Sequence, residues 1–295
     1  MQPIGRRDFL NYSAGVTASV LAARAGWSAP DAKKPKLKTA VKYAMVKVKG
    51  AGNLEKLQLV KKLGFAGVEI DSPGGLDLDD LVKARDATGI AIHGVIDSVH
   101  WTDTLSSSSE AVREKGRKAL EGALHDAKKV GADTVLLVPG VVKDDVTYDL
   151  CYARSQAEVK KVLPLAEKLK VKIAIETVWN QFITKPEQLI SYVDDFKSEW
   201  VGAYFDCSNM IKYGVSSADW IRKLGKRMLK FDFKAYSRAK EWDVKIGEGD
   251  EDWPEILKAL AEVGYDGWAT SEVDAGDEKY LKDVAERMNR VLGLG

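Results

Sequence analysis

The sequence predicts a (β/α)8 barrel, the TIM-barrel architecture, and three observations carry that prediction. From residue 39 onward, short apolar or β-branched runs alternate with helix-period segments about eight times in roughly 255 residues. Four of the later runs finish on an acid: KIAIE on Glu176, AYFD on Asp206, MLKFD on Asp232 and GWATSE on Glu272. Strands of a parallel barrel end at the mouth where sites are built, so acids there converge. No glycine-rich phosphate fingerprint follows the first run, which argues against a doubly wound nucleotide-binding sheet.

In chain order, the N-terminus opens on the pair Arg6 and Arg7, then Phe9, Leu10 and the weakly apolar stretch NYSAGVTASVLAA. This resembles a twin-arginine export signal, with Ala23 and Ala25 as a small-residue cleavage pattern, so residues 1–25 read as a signal peptide. The stretch is too short and too rich in Ser, Thr and Gly for a membrane span, and no stable insertion is expected once it is removed. Residues 26–38 (GWSAPDAKKPKLK) read as a linker, because Pro30, Pro35 and the lysines suit neither helix nor strand. The barrel is assigned to residues 39–295.

The first β-like run is residues 39–48 (TAVKYAMVKV), followed by a helical pattern over 54–63. Residues 65–71 (FAGVEID) and 90–101 (IAIHGVIDSVHW) are the second and third runs, with an amphipathic segment at 76–88 between them. A serine-rich loop leads to a long helix over 110–130, with Ser109 at its N-cap. The fourth run, 132–140, precedes a helix over 155–169. The last four runs, 172–180, 201–209, 228–234 and 267–273, are separated by helices over 185–196, 217–226 and 253–263, and a helix over 279–292 ends the chain.

Composition narrows the partners. Forty-five basic and 44 acidic residues give a net charge of +1, without the basic surplus that nucleic acid demands, so a small sugar or glycoside is the expected partner. The two cysteines, Cys151 and Cys207, are too few for a disulfide framework, and Cys207 reads as a small core residue. Four carboxylates at one mouth repel strongly unless a divalent ion binds them, so one metal is expected on Glu176, Asp206, Asp232 and Glu272. The competing reading is that each acid opens a loop or caps the next helix.

The segments IAIET at Glu176, FDCSN at Asp206, FDFKAYSR at Asp232 and TSEV at Glu272 resemble the sugar isomerase and epimerase superfamily. These are the xylose isomerase-like barrels that include ketose 3-epimerases and inosose dehydratases, and the likeness spans about residues 39–292. It implies Glu, Asp, His and Glu on a divalent metal, with Asp232 standing here in place of the histidine. An all-oxygen site leans toward Mn²⁺ or Mg²⁺. The resemblance also implies a substrate role for Arg238, six residues after Asp232. Asn209 stands where relatives often place a substrate-binding histidine, and Phe182 where epimerases carry a second glutamate. Dimerisation through the helices is common among such barrels.

Other residues at the mouth are read singly. His100 and Trp101 form a hydrogen-bonding and stacking pair for a sugar, with a core role as the alternative for Trp101. Trp179 and Asn180 follow Glu176 directly and are placed against substrate. Glu69 either holds a sugar hydroxyl or forms a salt bridge inside the barrel. Lys234 either binds an oxyanion or pairs with Asp206 or Glu272. His93 reads as a packed histidine, and Asp250 or Asp252 as a helix cap.

The chemistry these residues suit is proton abstraction next to a carbonyl, with Glu176 and Glu272 serving opposite faces of the substrate as the proton-handling groups. Reprotonation gives isomerisation or epimerisation; loss of a β-substituent gives elimination. The expected function is a metal-dependent isomerase or epimerase of an unphosphorylated sugar. A lyase acting on a 3-keto-glycoside and a noncatalytic sugar-binding barrel are the alternatives. The export signal places the protein in the periplasm, where phosphorylated metabolites are scarce.

Overall fold

A computed structural model describes residues 34–294, so the expected signal and most of the expected linker lie outside the described residues. Eight parallel strands close into a barrel in sequence order. They are β1 (Lys38–Lys42), β2 (Gly67–Ser72), β3 (Ala91–Asp97), β4 (Thr134–Leu137), β5 (Lys172–Glu176), β6 (Val201–Asp206), β7 (Met228–Phe233) and β8 (Trp268–Ser271). The helices between them are α1 (Asn53–Lys62), α2 (Leu78–Thr88), α3 (Glu110–Val130), α4 (Tyr148–Leu169), α5 (Pro186–Asp194), the short α6 (Cys207–Met210), α7 (Ser217–Leu224) and α8 (Trp253–Glu262), and α9 (Glu278–Leu292) follows β8.

Alternation along each strand divides the molecule into two interiors. Val68, Ile70, Val135, Ile173, Ile175, Phe205, Phe231 and Phe233 belong to the large apolar core that holds the helices on the barrel. The intervening positions fill the barrel itself, where the apolar cluster is small: Leu136, Ala174 and Tyr204, with Ile96 against them. Much of the rest is polar. Lys42, Glu69, His93, Lys230, Asp232 and Thr270 are all buried.

These groups meet one another in a continuous column. Lys230 Nζ lies 2.8 Å from Asp133 and donates to the His93 carbonyl at 3.0 Å. The His93 ring stacks on Trp268 with centroids 4.3 Å apart, and its Nδ1 is 3.5 Å from Glu69 Oε1. Glu69 Oε2 in turn accepts from Lys42 at 2.7 Å and from the Tyr204 hydroxyl at 2.9 Å. Burial, then the neighbouring Lys230 and Lys42, push the His93 imidazole well below its ordinary range, so it is a neutral packing and hydrogen-bonding group.

Local signals set the ends of the elements. Ser109 caps α3 by accepting from Val112 N at 3.4 Å, and Asp252 caps α8 by accepting from Glu255 N at 3.2 Å. Helix α4 begins at Tyr148, about two turns before the expected position, because Thr147 caps it and Tyr148 and Tyr152 pack on Phe182. Cys207 is buried in the core as expected. Among the described residues, no helix is long and apolar enough to cross a membrane.

Candidate active site

The mouth of the barrel brings three acids together. One oxygen from each of Glu176, at the end of β5, Asp232, in β7, and Glu272, just after β8, lies within 4.8 Å of the others. Asp206, the fourth acid expected there, ends β6 but divides its carboxylate between two tasks. Its Oδ1 accepts from Ser208 N at 2.8 Å and Asn209 N at 2.9 Å, which starts α6. Its Oδ2 is 3.2 Å from Lys234 Nζ and has no hydrogen bond of good geometry. The capping and site readings of Asp206 therefore apply to different oxygens of one group.

Two lysines sit among these acids. Lys234 pairs with both Asp206 and Glu272, as one of its sequence readings has it. Lys42, at the end of β1, bridges Glu69 and Asp232 at 2.7 and 2.8 Å. Burial alone would lower its pKa, but Asp232 and then Glu69 outweigh burial and hold it well above the usual lysine range. Sequence reasoning missed Lys42, whose signal is only its parity: it lies two residues from Ala40 and opposite Glu69 in the β1–β2 register.

The cluster is short of positive charge. Burial, with Glu272 next, pushes the Glu176 carboxyl well above its ordinary range, against the pull of Lys42 and Lys234. Burial also raises Asp232 against the pull of Lys42, because Glu272, Asp206 and Glu69 crowd the same volume. Glu272 is the exception. Burial raises it too, but Lys234 and then Lys42 more than offset that and hold it down to about 2. Five acids, counting Glu69, share two ammonium groups in this volume. All-oxygen donors, three of them within reach of one point, and the unsatisfied Asp206 Oδ2 make a set that fits a divalent ion.

Above the acids lies a cavity of about 310 Å³ whose walls include His100, Trp101, Glu176, Trp179, Asn209, Lys234 and Glu272. His100 Nδ1 accepts from Val138 N at 3.3 Å, leaving Nε2 as the remaining ring nitrogen, and burial lowers its pKa to about 4. Trp101 meets His100 edge-on and is 49% exposed, so it is not a core residue. The indole of Trp179 donates to the Asn209 carbonyl at 2.7 Å, and the Asn209 amide donates to Thr177 O at 3.0 Å. Trp242 completes the wall and packs against Trp179 and Tyr236 with centroids 5.0 and 4.7 Å apart. It gave no sequence signal, because it lies in an irregular loop after β7.

Three of the expected substrate residues lie elsewhere. Glu69 does not end its strand: β2 continues to Ser72, and Glu69 is buried in the salt bridge with Lys42, the second of its two readings. Its space exists because position 94 is glycine, where a Cβ would collide with the Glu69 carboxylate. Asp71, two residues further on, is the acid of β2 nearer the mouth; burial raises its pKa, Lys42 opposes that, and Glu272 adds to it. Asn180 is buried in the loop after β5, donating to Gly140 O at 2.9 Å and accepting from Phe182 N at 3.1 Å. Arg238 lines a separate cleft, donating to Ile211 O at 3.0 Å and lying 3.5 Å from Asp250.

Comparison with known proteins gives this arrangement a family. Residues 57–291 match the family model described as a xylose isomerase-like TIM barrel. The chain belongs to that family. Among curated proteins, L-ribulose-5-phosphate 3-epimerase UlaE of Escherichia coli is 24% identical over 233 residues, covering 72% of this chain and 79% of the relative. Among solved structures, D-psicose 3-epimerase crystallised in the presence of D-fructose aligns with a TM-score of 0.72 at 22% identity, over 87% of this chain and 100% of that one. The apo form of 3-keto-D-glucoside 4-epimerase YcjR from E. coli aligns with a TM-score of 0.71 at 15% identity, over 88% and 99% of the two chains. At these identities the structural matches establish the shared fold.

Proposed function

We propose that this barrel is a divalent-metal-dependent isomerase or epimerase of an unphosphorylated sugar. The observation that carries the reading is the convergence of Glu176, Asp232 and Glu272 within 4.8 Å beneath a cavity walled by His100, Trp101 and Trp179. Kinship with curated sugar epimerases supports it. Glu176, Asp232, Glu272 and the Oδ2 of Asp206, the oxygen not used in capping, would hold the ion, Mn²⁺ or Mg²⁺ by their all-oxygen chemistry. A bound ion supplies Lewis acidity toward a substrate carbonyl.

The chain's own residues do the rest. Trp101 and Trp179 offer aromatic faces to a sugar ring, and His100 offers a neutral imidazole nitrogen to a hydroxyl. Glu176 and Glu272 approach from strands three apart around the barrel, so each can take or return a proton at its own face of the substrate. Lys234, held protonated between Asp206 and Glu272, orients the Glu272 carboxylate.

The deciding experiment incubates the purified protein with Mn²⁺ in D₂O and free ketoses, aldoses or 3-keto-glucosides, followed by mass spectrometry. Deuterium in an intact sugar is the expected result. Release of the aglycone with an unsaturated keto sugar would replace the isomerase with a lyase. Binding without either product would leave a noncatalytic sugar-binding barrel.

Export through the twin-arginine route is part of the same proposal, since that route accepts proteins folded around a cofactor. Arg6→Lys combined with Arg7→Lys is expected to keep the protein in the cytoplasmic fraction, and an unchanged distribution would overturn it.

A further inference from the structure

A second cavity, of about 340 Å³, opens beside the first and shares three wall residues with it: Lys234, Trp242 and Glu272. Its other walls come from the loop after Trp242 and from the face of α9, with Val244, Ile246, Val273 and Val284 supplying apolar surface. Each cavity alone is near the lower bound for small-molecule sites, and the two together fall inside the range of about 300–1,000 Å³.

The cations that line this second cavity are already paired with acids. Lys234 pairs with Asp206 and Glu272, and Lys245 lies 3.3 Å from Asp283. Arg287 lies 3.0 Å from Asp283 and 2.9 Å from Glu248. No cation lining it lacks an acid partner among the described residues, so a phosphate there would have to break an ion pair to be held. An uncharged group with an apolar face would not.

Trp242 is the partition. It is 39% exposed although it packs on Trp179 and Tyr236, so part of its ring surface faces the shared opening. With Trp101, 49% exposed at the other side of the mouth, it gives the site two aromatic surfaces. A single sugar ring on the acids would leave the Trp242 side of the site unfilled.

We infer that the second cavity is a subsite for an uncharged second ring, so that the substrate is a glycoside whose reacting sugar sits over the acids and whose other ring, a sugar or an aryl group, lies against Trp242. This rests on the reading of the mouth as a sugar site. It assigns the neighbouring cavity a ligand that reading does not require.

The test is calorimetric titration of the full chain, loaded with Mn²⁺, with methyl, phenyl and glucosyl 3-keto-β-D-glucosides. The ring-bearing ligands are expected to bind at least tenfold more tightly than the methyl glycoside. Val244→Trp, which fills the second cavity from a residue outside the first, is expected to erase that advantage and leave methyl glycoside affinity within twofold. Trp242→Ala serves as a second variant, with circular dichroism to verify that each is folded. Preference for phenyl over glucosyl identifies the second ring as aryl, and the reverse identifies a sugar. Equal affinity of all three ligands, unchanged by Val244→Trp, overturns the subsite while leaving the sugar site standing. Failure of the native protein to bind any of them overturns the sugar site and the subsite together.

Discussion

Lys42 Nζ stands 2.8 Å from Asp232 Oδ2 at the top of the barrel interior, with both side chains buried. The pair joins the polar column inside the barrel to the acids at its mouth. One ammonium is thereby shared between a core glutamate, Glu69, and a site aspartate.

Replacing Lys42 with Met should be costly, because it leaves Glu69 and Asp232 buried without their cation. A loss of about 3–5 kcal/mol is expected, typical of breaking one side of a buried pair. Urea denaturation measures it, and Lys42→Met combined with Glu69→Gln should recover part of the loss by removing one of the stranded charges.

Binding of Mn²⁺ should stabilise the native state, since the ions of the site face an excess of carboxylates. At a hundredfold excess over Kd the gain is about 2.7 kcal/mol, visible as a rise in Tm that EDTA reverses. Glu176→Gln and Asp232→Asn should each shrink that rise; a full rise in both would take the metal away from these residues.

Asp97 offers a test by pH. Burial, opposed by a hydrogen bond from Val99 N, raises its pKa to about 7, well above the unfolded value of 3.8. The folded state therefore holds a proton that the unfolded chain gives up. Stability from this group is complete below the unfolded pKa and is lost as pH rises to about 7. Asp97→Asn should be more stable than the parent at pH 8 by on the order of 2 kcal/mol, with the gap shrinking toward pH 4. Thermal melts at the two pH values settle it: a gap that does not change with pH excludes the linkage.

Arg238 lies with its side chain 59% exposed over the Asp250 cleft. Arg238→Ala is therefore expected to change sugar affinity by less than about twofold, as exposed pairs contribute little. A tenfold loss in a titration would show that the arginine swings to the substrate on binding.

The architecture was legible because its signals are local. Each strand is a short apolar run, Ser109 and Asp252 stand where caps belong, and acids end the later strands. The grouping of Glu176, Asp232 and Glu272 followed from strand ends alone. What lay hidden depended on which neighbour a side chain meets. Lys42 looks like any strand lysine until the barrel closes and sets it against Asp232. Glu69 and Asp71 have the same parity, and only the length of β2 puts one in the interior and the other nearer the mouth. Asn180 follows a site glutamate directly, yet the turn of the chain commits it to Gly140 and Phe182. Trp242 comes from a loop with no periodicity to read.

The Lys42 and Asp232 pair also limits how this barrel can change. An imidazole introduced at position 232, the residue the sequence likeness implies for relatives, would give Lys42 a neighbour that cannot neutralise it. The ammonium would then rest on Glu69 alone. Lys42 and Asp232 thus form one electrostatic unit, and a change of charge at position 232 is felt first at the buried ammonium and, through it, at Glu69.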